Sequence, residues 1–190
     1  MAENVKELIE DMKNLSELML DLAYSSVFFE NKEIAKEVLL LYNNLEYTEE
    51  RLYLHLMAAS RGRPAKRLIS VLDLVESSKF VATAARNMSE LVLGGGELHP
   101  IIKEALSETD ESITRAVVSK KSPLCNKTLG EIKLATEIGV RIVGIRRKDR
   151  WIFDPNGNTT VLEDDILIGV GPSSPCGRLQ KLAKGTLKCL

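Results

Sequence analysis

Glycine is nearly missing from the first half of the chain. Of 12 glycines only Gly62 precedes position 94, so little there punctuates a helix. Histidine is limited to His55 and His99, and the three cysteines, Cys125, Cys176 and Cys189, lie away from both in sequence and lack C-x-x-C spacing. That excludes a disulfide framework and a zinc-ligand cluster, and leaves no expected Cys/His catalytic pair. Reduced thiols of a cytoplasmic protein are the expectation. Aromatic residues are sparse and no helix is basic along one face, so nucleic acid is not an expected partner. No run of about 18 apolar residues exists, which excludes a membrane-spanning helix. The start, MAENVKELIEDM, has no basic region followed by an apolar run and is not read as a signal peptide. Phosphate loops are missing too. Gly94-Gly95-Gly96 has no strand before it and no Lys-Thr after it, and Gly169-Val170-Gly171 has Ser174 where a third glycine belongs. With no nucleophile elbow either, an enzyme is not expected.

What the chain does have is a division of charge. Residues 1–112 hold 12 Lys+Arg and 20 Asp+Glu, giving −8; residues 113–190 hold 14 and 7, giving +7. Two domains of opposite sign are the natural reading, 1–112 and 113–190. The charges serve attraction between domains or subunits, or the second domain receives an anion.

The first domain reads as three long helices. Val5, Leu8, Met12, Leu15, Met19 and Leu22 alternate steps of three and four, a heptad seam. A break at Glu30-Asn31 precedes a second seam through Ile34, Val38, Leu41, Leu45, Thr48, Leu52, His55 and Ala59. Arg61-Gly62-Arg63-Pro64 is a loop signal. A third seam through Leu68, Leu72, Val75, Ser78, Ala82, Ala85, Ser89 and Val92 ends at Gly94 to Gly96. Short loops make the three an antiparallel bundle. A shorter fourth helix is expected from Leu98 to Ser112. The small residues of the third seam suit close approach by another helix, including one from a second copy. His55 is read as a half-buried histidine or a metal ligand. Glu46, Glu49 and Glu50 are read as a solvated face beside Arg51 or a metal-binding face.

The second domain reads as a small α/β module. Ile113–Val118 alternates as a strand. Asn126 suits positive φ, and Thr128 with Glu131 has the spacing of a capping box. A helix is expected over Leu129–Ile138, ended by Gly139 at positive φ, then a strand over Val140–Arg146. On that strand Arg141 and Arg147 would share one face with Arg146 opposite. Trp151–Phe153 is a strand, Asn156-Gly157 suits a primed turn, Thr159–Leu162 reads as a short strand and Asp165–Val170 as a buried one. Ser174 and Pro175 suit the start of a last helix that ends near Lys184. Arg141, Arg146, Arg147, Lys148 and Arg150 are the densest basic group, either an anion site or a charged edge that resists aggregation.

Two resemblances follow from these stretches. IAKEVLLLYNNLEYTEERL and VLDLVESSKFVATAARNMSELVL resemble a PhoU-type repeat over roughly residues 8–95. That family binds metal clusters through acidic residues on two facing helices. Here Thr83 stands in the acidic place of the third helix, and the glutamates expected near Leu40 and Tyr42 are absent although Glu46 remains. SPLCNKTLGEI, GVRIVGIRR, WIFDPNG and LEDDILIGVGP resemble the TrkA-C (RCK-C) regulatory module of potassium-transport proteins over residues 113–183. Members often carry Gly where Asn126 and Asp164 stand.

The second resemblance implies a dimeric, ligand-sensing domain. In members that bind cyclic di-AMP the pocket lies between two copies at the helix-to-strand corner. Ala135 and Arg141 occupy the places of a helix Arg and a strand Asn there, and Pro155 matches a pocket proline. The ligand-binding candidates are therefore Arg141, Ile142 and Pro155, with no metal ligands and an anionic nucleotide as the conceivable ligand. The expected architecture is α+β, a long-helix bundle followed by a small α/β domain. The expected role is cytoplasmic regulation of cation transport, potassium above all, by a homodimer that meets a membrane transporter or channel subunit, including at the inner membrane face. The alternative is a phosphate-signalling, metal-binding adaptor.

Overall fold

A computed structural model of the chain describes residues 4–59, 66–95, 99–107, 111–148 and 150–188. The expected loop at Arg61–Pro64, Gly96, Leu98, Asp149 and Cys189 lie outside the described residues. The chain divides into two compact units, Met1–Leu98 and His99–Leu190.

The first unit is a three-helix bundle of α1 (Val5–Phe29), α2 (Lys32–Ala59) and α3 (Lys66–Leu93). Asn4 starts α1: its Oδ1 accepts the Glu7 N–H at 3.0 Å while Glu7 Oε2 accepts the Asn4 N–H at 3.2 Å. Glu30, at φ 48°, ends it in the left-handed region. Leu8, Met12, Met19 and Leu22 are buried as the heptad seam predicts; Val5 and Leu15 are only half-buried. Ser16, Leu18, Ala23, Ser25, Ser26 and Val27 join the core, because α1 packs on both α2 and α3 and so buries a wider arc. Contacts between α2 and α3 join Tyr42 to Thr83 and Glu49 to Lys79. Partner numbers that rise on one helix as they fall on the other make these two helices antiparallel.

In the second unit α4 spans Pro100–Ser107. It stops short of the expected Ser112, which lies in strand β1 (Glu111–Val117). The sheet is fully antiparallel, in the order β1, β4 (Ile166–Pro172), β2 (Arg141–Arg147), β3 (Arg150–Phe153). One face of it carries Ala116, Ile142, Ile145 and Leu167 into a core closed by Leu179, Leu182 and Ala183 of the last helix, α6 (Ser173–Lys184). That helix begins two residues earlier than expected, with Pro172 rather than Ser174 at the cap. Ser112 and Ser173 hydroxyls meet at 2.6 Å beside it. Gly185 ends it at φ 74°.

Three local expectations are corrected. Thr159–Leu162 forms no strand, only a single bridge from Thr160 to Thr128. The turn before it is not of the primed type, which needs positive φ at Asn156 and Gly157; the positive φ falls instead on Asp154, at 45°. Asn156 Oδ1 accepts the Asn158 N–H at 2.9 Å, an Asx turn. Third, β2 carries a bulge at Val143: Arg141 opposes Val170 and Ile142 opposes Gly169, yet Gly144 opposes Ile168. One extra residue switches the parity of the strand. Arg141 therefore shares a face with Gly144 and Arg146, and Arg147 turns to the other, reversing the expected arrangement.

Candidate functional site

The site lies at the corner where Pro123 to Arg141 turns from loop to helix to strand. Ser122 anchors the loop: its hydroxyl donates to Leu182 O at 2.8 Å and accepts the Leu124 N–H at 3.1 Å. Asn126 adopts φ 62°, as its side chain permits. Asp164, at φ 65°, meets the same backbone demand, which accounts for glycine in that place among the proteins it resembles. From Asn126 to Gly130 the backbone is laced to residues 157–161. Asn126 N donates to Val161 O at 2.8 Å, Leu129 N to Thr159 O at 2.9 Å and Gly130 N to Gly157 O at 2.8 Å. A Cβ on Gly130 would lie 2.9 Å from Gly157 O. Only glycine lets these two segments approach so closely.

The helix starts as expected. Thr128 Oγ1 accepts the Glu131 N–H at 3.2 Å, and Glu131 Oε2 accepts the Thr128 N–H at 2.7 Å. The Thr128 N–H and hydroxyl hold the Glu131 carboxyl below its usual range. The helix does not continue. After one turn, α5 (Leu129–Ile132), Lys133 adopts φ 52° and ψ 42°, and the chain resumes as a π-helical turn over Leu134–Ile138. Gly139, at φ 86°, ends it as expected. A lysine in the left-handed region costs about 1–2 kcal/mol, so its surroundings must impose it. Ile132 and Leu134 on either side are both buried in the core. A regular helix would turn these two residues 200° apart; the break lets both point inward.

Between this corner and the Pro155–Gly157 turn lies a concave pocket of about 280 Å³. Its apolar lining is Leu129, Leu134, Val140, Ile142 and Pro155; its exposed polar lining is Lys133, Thr136, Arg141 and Asn156. Arg141, Ile142 and Pro155, the three sequence candidates, thus border one cavity. Ala135 borders it too. Lys133 was missed. In an unbroken helix it has no reason to be singled out, and the break is what brings it to the pocket.

Family models match both units. Residues 9–92 match the PhoU domain, and residues 113–184 match the TrkA-C domain. The chain carries a PhoU domain followed by a TrkA-C domain. Both are regulatory rather than catalytic families. Among solved structures, the RCK_C domain dimer of S. agalactiae BusR in complex with c-di-AMP is 21% identical, with 40% of this chain and 95% of that chain covered and a TM-score of 0.37. The RCK C domain of the potassium transport protein KtrA in complex with c-di-AMP is 26% identical, with 41% and 87% covered and a TM-score of 0.36. S. agalactiae BusR in complex with its busAB-promotor DNA is 13% identical, with 90% and 96% covered and a TM-score of 0.37. No curated protein matches the chain.

The remaining basic residues of the TrkA-C domain divide by role. Arg147 is not at the pocket. Its Nε donates to Asp165 Oδ1 at 2.9 Å, and its Nη2 donates to Asp165 Oδ2 and Thr160 O at 2.7 Å each. Asp165 is fully buried and its Oδ2 also accepts the Leu162 N–H at 2.8 Å. The carboxylate raises the guanidinium pKa further. This pair fastens the end of β2 to the 160–165 loop, the same loop that backs the pocket corner. Arg146 Nε donates to Lys148 O at 3.2 Å.

The PhoU domain does not fit the metal clusters of its family. Thr83 hydrogen-bonds Lys79 O at 2.8 Å and lies 3.4 Å from the Tyr42 hydroxyl. Glu49 is buried rather than on a solvated face, and Oε2 accepts from Lys79 Nζ at 2.5 Å. That bond raises the Lys79 pKa. Glu46 and Glu50 are exposed, Arg51 lies over the Tyr47 ring, and His55 is half-buried. Among the described residues no group of three or more His, Cys, Asp or Glu could hold a metal ion. Neither Cys125 nor Cys176 is in a disulfide, and Cys176 Sγ lies 3.4 Å from both Ser112 O and Gly171 O. No helix among the described residues is long and apolar enough to cross a membrane.

Proposed function

We propose that the TrkA-C domain is a sensor for an anionic nucleotide and that the chain regulates cation transport, potassium in the first place, as a homodimer without catalysis. The observation that carries this reading is the pocket, where Lys133 and Arg141 stand over an apolar lining. Two cations suit a phosphate, and the apolar walls with Pro155 suit a base or ribose. At about 280 Å³ the cavity suits one nucleotide, so a symmetric dinucleotide needs two copies. Ligand that bridges two domains favours one dimer geometry by population shift, and the PhoU domain passes it to a transporter at the inner membrane face. The matches of the two regulatory families support this division of labour.

Calorimetric titration with cyclic di-AMP, NAD and inorganic phosphate tests it. One nucleotide binds in the micromolar range or tighter, and Arg141→Ala weakens it by roughly tenfold or more, the worth of one charge-assisted contact. No binding by any nucleotide, or binding indifferent to Arg141→Ala and Lys133→Ala together, overturns it.

A further inference from the structure

The third helix of the bundle carries two seams, and only one of them faces its own core. The buried one includes Val75, Ala82, Ala85, Ser89 and Val92. The other runs Ser70, Leu74, Ser77, Val81, Ala84, Met88, Leu91, with steps of four and three in strict alternation. Met88 is half-buried and the other six are exposed, Leu74 at 51%, Val81 at 38% and Leu91 at 60%. No charged residue stands on it, although α3 carries Asp73, Glu76, Lys79, Arg86 and Glu90 on other rows. Lys79, Thr83 and Arg86 reach α2, so by helical spacing the seam occupies the flank away from α2. Phe80, 67% exposed, borders it.

We infer that this seam is where the bundle of a second copy of the chain docks, α3 against α3, antiparallel about Val81. The inference is independent of the nucleotide reading. Three heptads of uncharged a and d positions are the pattern of a helix pairing seam. The pattern is also nearly self-complementary about its middle. Reversed about Val81, Leu74 meets Met88 and Ser77 meets Ala84, large against large and small against small, and Ser70 comes to Leu91. A two-fold interface requires this property, in which one patch serves both partners. From Ser70 to Leu91 the helix rises about 32 Å. A helix pair of that length, with Phe80 at the rim, covers on the order of 600–800 Å² on each partner, close to the standard size of a specific interface. The small residues Ser70, Ser77 and Ala84 let the backbones come close while Leu74, Val81 and Leu91 fill the gaps.

Site-directed cross-linking of the full chain tests this, because a dimer held elsewhere does not reproduce the pairing. In a chain with Cys125→Ser and Cys189→Ser, Val81→Cys forms a disulfide-linked dimer under mild oxidation, whereas Tyr47→Cys on the outward face of α2 does not. An equal mixture of Ser77→Cys and Ala84→Cys chains gives the mixed dimer in preference to either self-linked one. Adding Ala84→Glu to the Val81→Cys chain lowers the cross-linking yield about tenfold, since the interface would bury an unpaired charge. Val81→Cys that links no better than Tyr47→Cys overturns the docking, as when another part of the chain or another protein covers the seam. Self-linking of Ser77→Cys as readily as in the mixture overturns the antiparallel arrangement.

Discussion

Among the described residues the first unit holds one non-glycine residue with positive φ, Glu30; the second holds Asn126, Lys133, Lys148, Asp154 and Asp164. The two units are built on different physics. In the bundle, each turn of helix satisfies its own backbone, and apolar spacing decides which face is buried. In the TrkA-C domain, short elements meet at bends that ordinary side chains resist, and contacts distant in sequence hold the bends. Three of the five lie at or next to the pocket: Asn126 before the cap, Lys133 in the lining and Asp154 before Pro155. Sparsely populated backbone conformations persist only where the surrounding structure imposes them.

The sharpest way to break this comparison is to cut one long-range fastener. Asp165→Ala leaves the Arg147 guanidinium and the Leu162 N–H without their partner. Removal of one member of a buried pair costs about 3–5 kcal/mol, and because the Arg147 side chain is 33% exposed the low end is expected. Trp151, the single tryptophan, reports on the second unit alone. Its fluorescence transition in urea moves to lower concentration while the helical signal of the bundle persists. If both signals fall together, the units do not unfold independently.

The counterpart is Leu22→Ala in the bundle, where Leu22 is fully buried. A loss of about 3 kcal/mol is expected from the cavity left behind. Far-ultraviolet circular dichroism registers it, with Trp151 fluorescence unmoved. Lys133→Gly sharpens the contrast further. Glycine removes the left-handed strain but gains freedom in the unfolded chain, so stability changes by less than about 1 kcal/mol. Nucleotide affinity in calorimetry falls by roughly tenfold, the loss of one cation at the phosphate. A large stability change without a binding change would assign Lys133 to the fold alone.

The smallest effect concerns the helix start. The Glu131 pKa is lower folded than unfolded, so its contribution is present above the unfolded value, near 4.5, and fades as pH falls through the folded one. Melting curves of Trp151 fluorescence between pH 7 and pH 3, compared with Glu131→Gln, show a difference that disappears at the acid end. A difference that grows toward acid would reverse the sign.

Much of the bundle was legible in the sequence because its signals are local and periodic. Leu8, Met12, Met19 and Leu22 are buried where the spacing puts them, and Asn126, Thr128 with Glu131, and Gly139 adopt the geometry their chemistry favours. The misses share a cause. Lysine does not announce a left-handed bend; the demand that Ile132 and Leu134 both enter the core imposes it. Nothing in Val140–Arg146 distinguishes an ordinary strand from a bulged one, because β-branched residues suit both. Glu49 looked solvated because its partner, Lys79, is thirty positions away. On α3 the spacing of the exposed seam is visible, but two interleaved seams compete and the periodicity alone does not say which one the fold buries.

The bulge at Val143 carries a consequence for how this domain can change over generations. Its carbonyl accepts the Asp154 N–H at 3.2 Å, just before Pro155, while the extra residue sends Arg141 and Arg147 to opposite faces. One seven-residue strand thereby has one end at the pocket and one end fastened to Asp165. Exchange of Arg141 would leave the Asp165 fastener, which Arg147 makes, in place. The bulge itself is constrained. Straightening the bulge with all seven residues kept would restore simple alternation, turn Arg147 to the face of Arg141 and strand a buried carboxylate. The Asp165 fastener therefore depends on the change of parity at Val143, which the identity of Arg141 does not set.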